Sequence, residues 1–266
     1  MTFAAWRDGE VAVLGLGRSG AAAVRLLRSH GIRVYASDAG EGEVLERDAA
    51  ALRKLGADVD VGSHDLERIR RAVQVIVSPG IAPGAEPLEA ARDAGVGLSS
   101  EIDLGAEALP GLKSIVVTGT NGKTTTTALV AHLLAAGGIR ATAAGNIGLA
   151  ISAVALEPGA YDWLALEMSS FQLHDTSRLI PAVGVMTNLS PDHLDRYGAL
   201  EEYYADKRRL FANAGPESIW VLNVDDTEVM GMGFDVSGTT RTFSTGQRAD
   251  AWLDRDQAAL MLDGRV

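Results

Sequence analysis

The sequence contains no cysteine among its 266 residues. Disulfide bonds and thiolate metal sites are therefore excluded, and a cysteine-free chain suits a reducing compartment. No apolar run approaches the ~20 residues that a membrane-spanning helix requires. The first residues, MTFAAWRDGEVAVLGLG, lack the basic segment and clean apolar run of a secretory signal. We therefore expect a cytoplasmic protein that does not insert into membranes.

Positive charge is also scarce. The chain has 24 Lys and Arg residues against 35 Asp and Glu residues, which gives a formal net charge of −11. An acidic chain is poorly suited to nucleic acid, because clustered cations bind the phosphate backbone. We expect no nucleic-acid partner and a monomeric chain. Any phosphate binding should come locally from backbone amides, a few cations and metal ions.

Apolar strands alternate with helices along the chain. EVAVLGLG leads into AAAVRLLRSHG, and IRVYASD into EVLERDAAALRKLGA, an order that indicates βαβ units and parallel sheets. A chain of 266 residues is long enough for two domains, and the Pro-Gly pair of EALPGLK marks a linker. We predict an α/β protein with a Rossmann-like domain at residues 1–110 and a P-loop, parallel-sheet domain like that of ATPases at residues 111–266.

The first domain carries a glycine-rich turn. Residues Gly15–Gly20 read G-x-G-x-x-G after the first strand, and Asp38 ends the second. Such a turn presents amides at a helix N-terminus to a pyrophosphate, while the acidic residue accepts hydrogen bonds from the ribose hydroxyls. The pattern fits NAD and a nucleotide-sugar equally well, and neither Arg18 nor Ser19 decides between them. SPGI ends a later strand, where Gly80 would let backbone approach a ligand; a plain turn without a ligand is the alternative at both places.

The second domain opens with VVTGTNGKTTTTALV. Its loop, Gly119–Thr124, is two residues shorter than the P-loop pattern G-x-x-x-x-G-K-[ST], and Val117 stands where the first glycine would fall. The loop joins an apolar strand to a helix, so its amides and the helix dipole favour phosphate oxygens. Lys123 is placed to reach the β- and γ-phosphates of a nucleotide, and Thr124 to coordinate Mg²⁺.

Polar groups follow later strands of this domain. Glu167 ends the strand WLALE, where a magnesium-nucleotide site requires a carboxylate. Asp192, His193 and Asp195 crowd the turn in TNLSPDHLDRYG, where an imidazole beside two acids would join a second cation site, although Mg²⁺ prefers oxygen. A solvated strand end and a surface histidine are the alternatives. Lys207, in the helix LEEYYADKRRLFANA, has the composition of a surface lysine.

The last residues, AALMLDGRV, predict a hairpin strand, an Asp-Gly turn and a returning strand of only two residues. A domain rarely ends so soon after a turn. We therefore expect Val266 to be a truncation point, with a ragged natural end as the alternative.

Together these motifs resemble the Mur ligase family. The resemblance runs through essentially the whole chain and is carried by GLGRSG, SPGI, TGTNGKTTT, GNIG, EMSSFQL, PDHLDRYG and LNVDD. The shortened P-loop is the family's own form. Within the family, SSFQL and SPGI favour the ligase that adds D-glutamate to UDP-N-acetylmuramoyl-L-alanine in peptidoglycan precursor synthesis.

The resemblance implies a set of site residues. The first domain would hold a UDP-sugar rather than NAD, through Gly17, Arg18, Ser19, Asp38 and Gly80, with Asn146 of GNIG at the muramoyl sugar. ATP would be held by Gly119, Thr120, Asn121, Gly122, Lys123, Thr124 and Thr125. Two Mg²⁺ ions would be held by Thr124, Glu167, His193 and Lys207. Lys207 would carry a carbamate, which requires its amine to deprotonate readily through burial and neighbouring positive charge.

The reaction implied by the resemblance is ATP-dependent amide formation. The substrate carboxylate attacks the γ-phosphate to give an acyl phosphate and ADP, and the amino group of D-glutamate then displaces phosphate. Neutralising the charges of the carboxylate and the phosphate, and positioning the two groups in line, would accelerate the reaction. The catalytic residues implied are Lys123, Glu167, His193 and Lys207.

The family also has a later G-x-H-N-x-x-N segment that contributes to adenine binding and a third domain that binds the amino acid. Neither occurs before Val266, so we expect the chain as written to bind the UDP-sugar but to ligate negligibly. The alternatives are a sibling ligase that adds another amino acid, a non-catalytic module that binds nucleotide and UDP-sugar, and an NAD-dependent dehydrogenase. An NAD-dependent dehydrogenase would give no role to Lys123.

Overall fold

The computed structural model describes residues 3–192 and 197–265. The chain divides into two compact units. Unit 1 comprises Met1–Gly111, Leu149–Ala160 and Asp175–Ser177, and unit 2 comprises Leu112–Gly148, Tyr161–His174 and Arg178–Val266. Two stretches from later in the chain therefore belong to unit 1. The division into domains at residues 110 and 111 stays a prediction.

Unit 1 is built on a parallel sheet. Its strands are β1 Glu10–Leu14, β2 Arg33–Asp38, β3 Asp58–Val61, β4 Gln74–Val77 and β5 Leu98–Ser100. They lie in the order β3-β2-β1-β4-β5, and every pairing is parallel. The chain reverses its direction of strand addition between β1 and β4, and open α/β sheets bind ligands at such a point.

Helices cover both faces of this sheet. They are α1 Arg18–Ser29, α2 Glu43–Arg53, α3 Leu66–Arg71, α4 Glu86–Asp93 and α5 Glu101–Ala108, joined by α7 Ile151–Val154. In β1, Val11 and Val13 belong to one hydrophobic cluster, while Ala12 and Leu14 belong to another. Since strand side chains alternate between faces, the sheet has a core on each side.

Unit 2 contains the larger sheet. Its strands are β6 Lys113–Thr118, β7 Ala141–Gly145, β8 Trp163–Glu167, β9 Val183–Met186, β10 Ile219–Asn223, β11 Thr239–Ser244, β12 Ala251–Asp254 and β13 Ala259–Leu262. The order is β13-β12-β11-β10-β9-β6-β8-β7. The pairings are parallel from β7 to β12, and β13 joins β12 antiparallel. The predicted α/β class with two parallel sheets is confirmed.

The helices of this part of the chain are α6 Lys123–Ala136, α8 Ser170–Asp175, α9 Leu200–Arg208 and α10 Thr227–Met232. Short 3-10 helices lie at Phe3–Trp6 and Arg209–Phe211. Within the described ranges, no helix combines the length and apolar character needed to cross a membrane.

The predicted Asp-Gly turn is present. Asp263 and Gly264 have φ angles of 48° and 76°, and Leu262 and Arg265 form an antiparallel bridge across them. Positive φ at both central residues is what a type I′ turn requires. The main partner of β13 is nevertheless β12, which precedes it. The returning residue Val266 lies outside the described residues.

Candidate nucleotide and magnesium site

The loop between β6 and α6 makes a tight turn. Gly119 has a φ of 138° and Gly122 a φ of 82°, conformations that residues with side chains rarely adopt. A Cβ at Gly119 would also collide with the Thr187 hydroxyl, just after β9. The two glycines therefore let the loop turn tightly while it lies against the neighbouring strand.

Asn188 holds this loop from the side of β9. Its Oδ1 accepts from the Asn121 amide at 2.9 Å, and its Nδ2 donates to the Asn121 carbonyl at 2.9 Å. Its own carbonyl accepts from the Thr120 amide at 2.8 Å. Asn188 was assigned no role from the sequence, although a polar residue after a strand beside the loop was a usable signal. The Thr120 and Asn121 amides support the loop, and contact between these residues and ATP stays a prediction.

The start of α6 presents amides that have no intrahelical acceptor. Gly122 is the N-cap, and the first helical bond runs from the Thr126 amide to the Gly122 carbonyl at 2.9 Å. The amides of Lys123, Thr124 and Thr125 precede it, as at any helix N-terminus. Together with the helix dipole, they form a favourable place for phosphate oxygens.

Lys123 folds back over the loop. Its Nζ donates to the Thr120 carbonyl at 2.7 Å, and its side chain is half-buried. Thr124 and Thr125 are exposed. The ammonium is held beside the helix start, where it adds positive charge to the amides.

Glu167 ends β8, which pairs directly with the loop strand β6 and sets Glu167 opposite Val117. The residue is 1% exposed. Its Oε1 accepts from Nδ2 of Asn146 at 2.7 Å, whereas Oε2 is buried and has no hydrogen-bond partner in the described part of the chain. The expectation of a carboxylate on a strand next to the loop strand is confirmed.

The donor set fits a hard cation. A buried carboxylate oxygen without a partner is costly, and carboxylate and hydroxyl oxygens are ligands that Mg²⁺ accepts. Glu167 supplies a carboxylate oxygen, and Thr124 supplies a hydroxyl oxygen. Among residues 3–192 and 197–265, no group of three or more His, Cys, Asp and Glu side chains could hold a metal by itself. His193 and Asp195, which the sequence predicts near a second cation, lie outside the described residues.

Only the family resemblance assigned Lys207 to this site. It lies on α9 and is 1% exposed. Its Nζ donates to the Gly119 carbonyl at 2.8 Å and to the Thr118 hydroxyl at 3.3 Å. The Lys207 side chain therefore extends from α9 to the backbone of the phosphate loop. It is not the surface lysine that its composition suggests.

The electrostatics of Lys207 are unusual. Burial, and after it the positive charge of Lys123, lowers its pKa to about 7, while Asp192, Glu167 and Asp206 act in the opposite direction. A lysine that loses its proton near neutral pH is characteristic of functional sites. The structure thus brings Lys123, Glu167 and Lys207 into one electrostatic environment at the carboxyl edge of the sheet.

The glycine-rich turn of unit 1 is equally constrained. Gly15 has a φ of 86°, and a Cβ at Gly20 would collide with the Gly15 carbonyl. The Gly15 amide donates to the Ser37 carbonyl at 2.8 Å, and the Ser78 hydroxyl donates to the Gly15 carbonyl at 3.1 Å. The turn is therefore fixed between β2 and the SPGI segment, with the first turn of α1 directly after it.

Asp38 braces this turn. Its Oδ2 accepts from the Leu16 amide and its Oδ1 from the Gly40 amide, both at 2.8 Å. Each carboxylate oxygen of Asp38 thus already accepts a hydrogen bond from a backbone amide. The expected contact between Asp38 and a nucleoside stays a prediction.

The other residues of unit 1 that are predicted to contact the UDP-sugar are exposed or half-buried. Gly17 is the N-cap of α1 and has no side chain that could cap the helix. Arg18 is exposed and Ser19 half-buried. Gly80 is exposed, and open space surrounds the position of a Cβ. The first helical bond of α1 runs from the Ala21 amide to the Gly17 carbonyl at 2.9 Å, and the amides before it have no intrahelical acceptor, as at any helix N-terminus.

Glu101 is a buried acid at the end of β5. Its Oε1 accepts from the Ser152 amide at 2.6 Å. Burial raises its pKa to about 7, against the opposing effects of Ser152 and the positive charge of Arg18. No local pattern predicts this group, because its burial depends on packing between α5 and α7.

Two parallel sheets, each with a glycine turn that opens a helix, define an α/β protein with two turns of the phosphate-binding type. The family model of the Mur ligase middle domain matches residues 117–264, and that of the MurD-like N-terminal domain of Mur ligases matches residues 9–100. The chain belongs to the Mur ligase family.

Curated relatives agree with this assignment. The chain is 41% identical over 217 residues to the UDP-N-acetylmuramoylalanine--D-glutamate ligase of Acidobacterium capsulatum, covering 82% of this chain and 47% of that protein. It is 43% identical over 216 residues to the same-named ligase of Gloeobacter violaceus, covering 81% and 48%. The chain therefore spans about half the length of the curated relatives it matches.

Solved structures show the same fold. The chain aligns with the UDP-N-acetylmuramate:L-alanyl-gamma-D-glutamyl-meso-diaminopimelate ligase of Neisseria meningitides at a TM-score of 0.64 and 18% identity, covering 97% of this chain and 85% of that one. With the UDP-N-acetylmuramate-alanine ligase of Thermotoga maritima the TM-score is 0.56 and the identity 24%, covering 97% and 59%. At these identities the likeness concerns the fold alone.

Proposed function

We propose that this chain is the UDP-sugar- and ATP-binding part of a ligase that joins D-glutamate to UDP-N-acetylmuramoyl-L-alanine in peptidoglycan precursor synthesis. The observation that carries the proposal is the placement of Lys123, Glu167 and Lys207 around one phosphate-type loop. The relatives named for this reaction, at 41% and 43% identity, support the choice of substrates. The proposed enzyme is a cytoplasmic monomer.

Unit 1 binds the UDP-sugar in this proposal. The turn Gly15–Gly20 and the first amides of α1 suit a diphosphate, because a helix N-terminus attracts anions. The contact residues proposed are Gly17, Arg18, Ser19, Asp38 and Gly80. A sugar contact by Asn146 is proposed from the family resemblance alone.

Unit 2 binds ATP and supports phosphoryl transfer. The amides at the start of α6 and the Lys123 ammonium hold the β- and γ-phosphates, so that the substrate carboxylate can attack the γ-phosphate in line. Breaking the bond between the β- and γ-phosphates releases ADP and leaves an acyl phosphate. The amino group of D-glutamate then attacks the acyl carbon, loses a proton and displaces phosphate.

Magnesium is proposed at two places. Thr124 and Glu167 would hold one ion, and His193 with modified Lys207 would help to hold a second. The bound ions would supply positive charge that offsets repulsion between carboxylate and triphosphate. The orphaned Oε2 of Glu167 supports the first of these placements.

Lys207 is proposed to carry a carbamate. The lone pair of its neutral amine attacks the carbon of CO₂, a proton leaves the nitrogen, and a carboxylate-like anion results. A pKa of about 7 supports this step, since much of the amine is neutral at slightly alkaline pH. One N–H remains on the carbamate nitrogen and can still donate to the Gly119 carbonyl, the present partner of Nζ.

Calorimetric titration of residues 1–266 tests the proposal. UDP-N-acetylmuramoyl-L-alanine and magnesium-ATP should each bind, and NAD should not. Lys123→Ala should weaken ATP binding while leaving UDP-sugar binding unchanged. Binding of NAD without binding of the UDP-sugar would contradict the proposal and favour a dehydrogenase.

A further inference from the structure

His64 lies at the carboxyl edge of the unit 1 sheet. The Gly62 amide donates to the Asp38 carbonyl at 2.8 Å, which extends the pairing of β3 with β2 by one residue. Gly62 then turns with a φ of 86°. The turn brings Nδ1 of His64 to 2.8 Å from the hydroxyl of Ser37, a residue with 0% exposure. The imidazole therefore lies over the end of β2.

This position is next to the glycine-rich turn. The Ser37 carbonyl accepts from the Gly15 amide at 2.8 Å, and the adjacent Asp38 accepts from the Leu16 amide. His64 is thus two hydrogen bonds away from the turn proposed to bind the diphosphate. In sheets of this kind, the acid at the end of β2 marks the nucleoside side of the ligand, while the diphosphate lies at the helix start.

The surroundings of the ring favour a neutral imidazole. Burial lowers the pKa of His64 below its ordinary value of 6.5, and the carboxylates of Asp38 and Glu86 oppose this effect without cancelling it. A neutral ring beside two carboxylates is poorly suited to a diphosphate, which these acids repel. It is well suited to an uncharged partner with hydrogen-bonding oxygens.

We propose that His64 contacts the nucleoside of the UDP-sugar, donating a hydrogen bond from Nε2 to an acceptor oxygen of uracil or ribose. In this proposal the Ser37 hydroxyl donates a hydrogen bond to Nδ1, so that the ring hydrogen is on Nε2. Within the described ranges, the bond to Ser37 is the hydrogen bond that His64 makes, so Nε2 remains available. Ser37 is then a positioning residue, and His64 a specificity residue. The inference rests on the proposed UDP-sugar site.

Two substitutions of similar size separate this role from a purely structural one. In His64→Asn the side-chain amide can still reach the Ser37 hydroxyl but has no group at the position of Nε2. In His64→Gln the longer side chain carries a donor close to that position. Both variants remain polar at a half-buried site, so folding should be preserved in each. His132→Asn, an exposed histidine on α6, is the matched control.

The test is calorimetric titration of residues 1–266 and these variants with UDP, CDP and 2′-deoxy-UDP. His64→Asn should weaken UDP binding by about 5–10-fold, the usual worth of one hydrogen bond to a ligand, while His64→Gln and the control bind as wild type. A reduced preference for UDP over CDP would identify a base contact. A reduced preference for UDP over 2′-deoxy-UDP would identify a ribose contact. ATP binding should be unchanged throughout.

Failure of this inference differs from failure of the proposed function. If wild type binds UDP and both His64 variants bind it equally well, or are weakened equally, His64 makes no nucleoside contact through Nε2 and the inference is overturned. If wild type binds no UDP, the proposed UDP-sugar site itself is wrong, and the inference falls with it.

Discussion

The side-chain amide of Asn146 lies 2.7 Å from Oε1 of Glu167, and the backbone amide of Asn146 donates to the Glu167 carbonyl at 3.0 Å. Gly145 and Glu167 are register partners of β7 and β8, so the sheet itself sets this approach. A Cβ at Gly145 would collide with the Glu167 carbonyl. The contact fixes one carboxylate oxygen, while Oε2 has no hydrogen-bond partner among the described residues.

Asn146→Ala should therefore impair magnesium-dependent nucleotide binding. Removal of the donor leaves a buried carboxylate oxygen unpartnered, which costs about 1–3 kcal/mol, and lets the Glu167 side chain rotate. We expect the Mg²⁺ concentration for half-maximal ATP binding to rise about tenfold, measured by titrating Mg²⁺ at fixed ATP. Asn213→Ala, which removes a bond to the Leu179 carbonyl, is the matched control. An unchanged Mg²⁺ requirement in Asn146→Ala would show that Asn146 does not position Glu167.

Asn188 allows a graded test of the loop. Asn188→Ala removes both side-chain bonds to Asn121, whereas Asn188→Asp keeps the acceptor for the Asn121 amide and loses the donor to its carbonyl. ATP affinity should fall in the order wild type, Asp, Ala, with a loss of about tenfold or more for Ala. Calorimetry measures both ligands, and UDP-sugar affinity in unit 1 serves as the internal control. Equal ATP affinity in all three proteins would mean that Asn188 does not order the loop.

Lys123 and Lys207 should be coupled through their charges. The positive charge of Lys123 is one cause of the lowered pKa of Lys207, so Lys123→Met should raise the pKa of Lys207 above about 7. Less neutral amine is then available to react with CO₂. The measurement is an NMR titration of lysine side-chain signals, with Lys207→Arg for assignment and Lys54→Met as a control. A titration midpoint that does not move in Lys123→Met would contradict the coupling.

Glu101 should make folding stability depend on pH. Its pKa is raised in the folded protein from 4.5 to about 7, so between these values the folded state holds a proton that the unfolded state has lost. Its contribution is therefore most favourable below pH 4.5 and falls as pH rises to about 7. By linkage this amounts to about 3 kcal/mol.

Glu101→Gln isolates this effect. Glutamine has no ionisation cost and can still accept from the Ser152 amide, so the variant should be more stable than wild type at pH 8 and similar near pH 4. Denaturant unfolding at both pH values measures the difference, with the exposed Glu89→Gln as a control. A difference between Glu101→Gln and wild type that stays constant with pH would contradict the assignment.

The parallel sheets and their glycine turns could be predicted because their signals are local. An apolar run followed by glycines and a helix predicts a strand–turn–helix junction wherever it occurs. In unit 1, strands β3 and β5 were not predicted, and in unit 2 neither were β7, β11 and β12. The two unit 1 strands have weak signals. They are only 4 and 3 residues long and read DVDV and LSS, so neither gives a continuous apolar run.

The chemistry of the site was only partly accessible from sequence. Lys207 has the local composition of a surface lysine, and its burial arises only when α9 packs against the end of β6. Asn188 matters because β9 is the neighbour of β6, a fact of strand order rather than of spacing. The same limit applies to Glu101. These roles depend on contacts between distant segments, which a pattern of adjacent residues does not encode.

The most direct test of the account is a crystal structure of the chain with a non-hydrolysable ATP analogue and Mg²⁺. The account predicts the β- and γ-phosphates against the amides of Lys123, Thr124 and Thr125, with a cation between the Thr124 hydroxyl and Glu167. An analogue bound elsewhere, with this loop empty and Oε2 of Glu167 still without a partner, would contradict it.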